Sequence, residues 1–91
     1  MSSNVVWVTV DGERVAEDLQ DARAKLDGAQ EEMVLDFSSV RRIDAAALRA
    51  LESFAETANS ANAKVILRGI NVKIYKVLKL MRLASRFSVQ A

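Results

Sequence analysis

The sequence predicts an α/β fold with a small sheet, mostly parallel or mixed, and helices packed against it. Three observations predict it. Short apolar runs of strand length recur at Val5–Val10, Met33–Phe37 and Ala63–Arg68. Between and after them, apolar residues return every three or four positions, the period of a helix with one buried stripe. At the centre of the chain, Asp44 stands directly before Ala45, Ala46, Ala47 and Leu48, where a carboxylate can cap a helix start. Strands and helices of this length in alternation imply right-handed crossover units and a mostly parallel sheet.

Val5-Val6-Trp7-Val8-Thr9-Val10 is rich in residues that suit a pleated sheet, and Asp11-Gly12 closes it with a turn signal. From about Arg14 to Asp27, Val15, Leu19, Ala22 and Leu26 form one stripe, so a first helix is expected there. Asp21 and Lys25 are spaced to pair on its outer side, and Gly28 is placed to end it. Met33–Phe37 is nearly continuous in apolar character, which predicts a strand covered on both faces. The helix after Asp44 runs to about Asn62 and presents Leu48, Leu51, Phe54, Ala55 and Ala58 on one side. Gly69 stops the next strand, and a third helix follows with Ile74, Val77, Leu78 and Met81 inward and Lys73, Lys76 and Lys79 outward. Phe87 and Val89 add a last packing contact or a short strand. Trp7 and Tyr75 are expected to be packing residues, since two distant aromatics make no base-stacking platform.

The chain of 91 residues fits one domain, residues 1–91, with half its residues apolar and 27% charged. Without cysteine or histidine, it has no disulfide, no thiolate chemistry and no histidine-based catalysis or metal site. A catalytic carboxylate pair needs opposed environments and a substrate pocket, and nothing else in the sequence supports such a role for Asp36 and Asp44, so no catalytic residue, metal or cofactor is expected. Met1-Ser2-Ser3-Asn4 lacks the character of a signal peptide, and no apolar run approaches the roughly 20 residues of a membrane span. A cytoplasmic location is the expectation. Charge is uneven despite a net +1: every acid lies at or before Glu56, and only cations follow, from Lys64 to Arg86. That polarity suits either a solvated basic helix face or an acidic, phosphate-rich or lipid partner. Nucleic acid is not the expected partner.

The residues Val34-Leu35-Asp36-Phe37-Ser38 through Ile43-Asp44-Ala45-Ala46-Ala47-Leu48 resemble the core motif of STAS domains, the fold of bacterial anti-sigma factor antagonists. Ala63–Asn71, then Val77-Leu78, Leu83 and Phe87, are similar to that family's last strand and final helix. The resemblance implies a signalling module in transcription regulation that works by protein-protein interaction and is not an enzyme. It also has departures. Ala46 stands where switchable relatives carry a phosphorylated serine, and Arg68 where some carry a second phosphorylatable threonine. A methyl group cannot accept a phosphoryl group. Arg82 replaces a glycine expected in the closing turn of the last helix, and one strand precedes the first helix where the family often has a hairpin.

Taken together, Ser38, Ser39, Asp44, Ala45, Ala46, Ala47 and Leu48 are expected to bind a partner protein without phosphorylation. The resemblance implies either a kinase-type anti-sigma factor or the ATPase of a lipid-transport ABC complex, which the domain would brace; homo-oligomers are also compatible. The plainer roles of these residues are structural. Asp44 caps a helix, Ser38 and Ser39 make a turn, and Asp36 either satisfies backbone donors or touches the partner.

Overall fold

The computed structural model describes residues 5–26 and 32–90. Its elements are β1 (Val5–Thr9), α1 (Val15–Ala24), β2 (Glu32–Asp36), α2 (Ala45–Ser60), β3 (Lys64–Arg68), α3 (Val72–Leu80), a 3-10 turn at Ala84–Arg86 and β4 (Ser88–Val89). All strands are parallel, in the order β1-β2-β3-β4. The expected α/β class is therefore present. Phe87 is buried beside β4, so the tail contributes both the contact and the strand.

The strand order decides where the helices go. Each crossover advances the sheet in the same direction, and right-handed crossovers of that kind stack every helix on one face. Accordingly, Val15 and Leu19 of α1, Leu51 and Phe54 of α2, and Ile74 and Leu78 of α3 share one core with Met33, Leu35, Val65 and Leu67 of the sheet. No described element covers the other face. This corrects the expectation that Met33–Phe37 is covered on both sides. Val34 is buried there because Trp7 and Ile66 flank it in register on the adjacent strands.

Trp7 is also corrected, since it is 54% exposed on that open face with the Arg68 guanidinium 5.3 Å from its ring centre. A cation over an exposed ring contributes about 0.5–1 kcal/mol. Tyr75 and Met81 are exposed too, against expectation. For Met81 the reason is local: α3 stops at Leu80, and the C-cap residue no longer follows the helical stripe. Helix α1 ends at Ala24, short of the expected Asp27, and Gly28 lies outside the described residues. Among the described residues the one ion pair is Arg14 with Glu17 at 3.6 Å, so Asp21 and Lys25 are not joined.

Helices α2 and α3 end in the same way. Asn62 and Arg82 take positive φ of 57° and 59°. Behind them, the N–H groups of Ala63 and Leu83 donate to the carbonyls of Ala58 and Leu78 at 2.9 and 2.8 Å. This double-bonded ending favours glycine, and asparagine tolerates it. Arginine does not: an L side chain there costs on the order of 1 kcal/mol. Arg82 thus holds the position in which the family resemblance anticipates glycine.

Candidate protein-docking site

The carboxyl ends of β1, β2 and β3 converge on the turn after β2. Val10 N–H donates to the Asp36 carbonyl at 2.9 Å and Phe37 N–H to the Arg68 carbonyl at 2.7 Å, extending both ladders past the strands. The chain then turns at Ser38-Ser39, closed by Val40 N–H on the Phe37 carbonyl at 2.9 Å. Ser38 donates twice to one oxygen of Asp36, from its N–H at 2.9 Å and its hydroxyl at 2.5 Å. The serine hydroxyl is thereby committed to the fold.

Two glycines hold this turn from opposite sides. At Gly69, where φ is +74°, a Cβ would lie 2.5 Å from the Ser38 hydroxyl oxygen and 2.9 Å from its nitrogen. At Gly12, a Cβ would run into the Ser39 carbonyl. Both positions need glycine because backbone and turn approach too closely for a side chain.

The Ser38 hydroxyl, then the Ser38 N–H, hold the Asp36 carboxyl below the ordinary carboxylate value, against a small opposing effect of desolvation; Arg68 adds to the lowering. The fold therefore favours ionised Asp36. Its contribution to stability is complete above about pH 4 and is lost as pH falls through the lowered value. We expect Asp36→Asn to lose less stability than the parent on acidification below about pH 4, measured by urea midpoints on either side of that pH.

Asp44 caps α2 as expected, accepting from Ala47 N–H at 2.8 Å. Such a cap contributes roughly 1 kcal/mol. The approach to it is fixed by Asn71, whose amide donates to the Arg41 carbonyl at 2.9 Å and, more weakly, to the Val40 carbonyl at 3.4 Å. The same side chain caps α3 by accepting from Ile74 N–H at 2.8 Å. One residue thus ties the loop before α2 to the start of α3.

The predicted set divides at this point. Ser38, Ser39, Asp44, Ala45 and Ala46 are exposed, and Leu48 is half-buried. Ala47 is only 1% exposed, with its methyl in the core, so its side chain is not accessible. Ala46 lines a groove of about 380 Å³ between α1 and α2, with Ala16, Gln20, Arg23 and Arg49. Beside it, a cleft of about 550 Å³ lies between the loop after β1 and Arg42, Ile43 and Asp44. Asn71, Gly12 and Gly69 are supporting residues that sequence reasoning did not place here.

A family model described as "Mlab, STAS domain" matches residues 2–88. The chain belongs to the STAS family. Solved structures share the fold at low identity. A sulfate transporter family protein from Wolinella succinogenes has a TM-score of 0.83 at 20% identity, covering 99% of this chain and 79% of that one. A candidate anti-sigma factor antagonist from Thermotoga maritima has 0.78 at 19% identity, covering 100% and 82%. The Bacillus cell fate determinant SpoIIAA in its phosphorylated form has 0.65 at 13%, covering 100% and 86%. No curated protein matches this STAS chain significantly. Among its described residues, no helix is long and apolar enough to cross a membrane.

Proposed function

We propose that this STAS domain is a non-enzymatic, anti-sigma factor antagonist-like module that docks a partner protein through the exposed start of α2, without a phosphorylation switch. The observation that carries the reading is Ala46. It is exposed in the first turn of a capped helix, beside a groove, and has no oxygen to modify. Phosphorylation of a hydroxyl there would add about −1.5 to −2 charges and three acceptor oxygens. Alanine adds no charge at this position under any condition. A phosphate on the nearby Ser38 would remove its hydrogen bond to Asp36 and set negative charge against that carboxylate.

The test uses the protein with a kinase-type anti-sigma factor and ATP, measuring complex formation and phosphate incorporation together. A complex without labelling is the expected result, and Ala46→Glu should weaken it by roughly tenfold, about 1.4 kcal/mol, through a charge placed in the contact. Efficient labelling anywhere in residues 38–48 would overturn the loss of the switch. Unchanged affinity in the glutamate variant would move the interface elsewhere. Capture of an ATP-binding-cassette ATPase in place of a kinase-type partner would assign the same corner to bracing a transport complex.

A further inference from the structure

The outer side of α3 and the turn that follows it carry cations and exposed apolar side chains together. Lys73, Lys76, Lys79, Arg82 and Arg86 are all exposed, and no described carboxylate pairs with any of them. Among them stand Val72, 68% exposed, and Leu80, 82% exposed, with Met81 beside it. Tyr75, Lys79, Arg82 and Ser85 line one open cleft of about 380 Å³, bringing an ammonium, a guanidinium and two hydroxyls around a space that suits a phosphate. Arg82 keeps its place in this cleft at a positive φ that glycine would adopt without strain.

We propose that this surface binds an anionic lipid bilayer, with the cations at headgroup phosphates and Leu80 and Met81 inserted between the lipids. A protein partner suits the surface less well, because the centres of protein interfaces are depleted of lysine. Here the lysines are interleaved with the apolar residues instead of surrounding them. A bilayer interface accepts that mixture, since lysine stems and apolar side chains each settle at their own depth. Nucleic acid would use the cations but has no use for a protruding leucine. The residues tested lie on α3 and Ala46 lies on α2, so the inference does not depend on the docking role proposed for that corner.

The experiment is co-sedimentation with vesicles of phosphatidylcholine, with and without phosphatidylglycerol. We expect sedimentation with the anionic vesicles and little with the neutral ones. Lys76→Gln combined with Lys79→Gln should lower the partition coefficient by roughly 25-fold, about fivefold for each cation. Leu80→Ser should lower it by about tenfold through lost insertion. All three sites are exposed, so the variants should unfold at the parent's temperature, while Ala46→Glu should partition as the parent does. Equal partition into both vesicle types overturns the proposal, as does a Leu80→Ser variant that binds like the parent. Retention on immobilised polyglutamate without any vesicle sedimentation also overturns it, and assigns the face to an acidic protein.

Discussion

Replacing Phe54 with alanine should lower stability by about 3–5 kcal/mol, the usual cost of deleting a fully buried aromatic side chain. Phe54 is completely inaccessible and is the largest residue that α2 contributes to the core. A domain of this size has only on the order of 5–14 kcal/mol in total, so the variant should melt at least about 12 °C below the parent. The expected functional consequence is indirect. Ala46 and Asp44 keep their chemistry, but the helix that presents them is no longer held firmly on the sheet. Thermal unfolding followed by circular dichroism measures the loss. A shift of only a few degrees would mean that α2 collapses into the space and that Phe54 is not its anchor.

Gly69→Ala should produce the second largest loss, about 2–3 kcal/mol. Two effects add at this position. The backbone holds a positive φ of 74°, and the new methyl would meet the Ser38 nitrogen and hydroxyl oxygen. Relief requires the Ser38 turn to move, which also breaks its double hydrogen bond to Asp36. The variant should therefore show less of the Asp36-dependent loss on acidification than the parent. An alanine variant as stable as the parent, with unchanged acid sensitivity, would show that the turn yields without cost.

Much of this architecture was legible in the sequence because the periodicities are strong. The stripe Leu51, Phe54, Ala55 and Ala58 is buried as spacing required, and Asp44 caps where its position before three alanines placed it. What the sequence could not show was the direction in which each crossover steps. A continuous apolar run such as Met33–Phe37 looks the same whether helices cover one face or both, and its neighbours Trp7 and Ile66 supply the shielding that a second helix layer was expected to give. Within the candidate site, Ala46 and Ala47 are the same residue type, but Ala47 lies four positions before Leu51 on the buried stripe and Ala46 does not, so the spacing that buries α2 also separates them. The contact of Asn71 with Arg41 spans 30 positions. An asparagine before a helical stripe signals a cap, and nothing local to it reveals the second partner.

The one-way order of the strands has a consequence for association. Among the described residues β1 pairs only with β2, so one flank of the sheet ends in five residues, Val5–Thr9, with a free row of amides and carbonyls. Sheets commonly protect such a margin with lysine, proline or a bulge. Val5-Val6-Trp7-Val8-Thr9 has neither charge nor proline, which makes this edge, among the described residues, a ready template for one more strand and open to unwanted self-assembly.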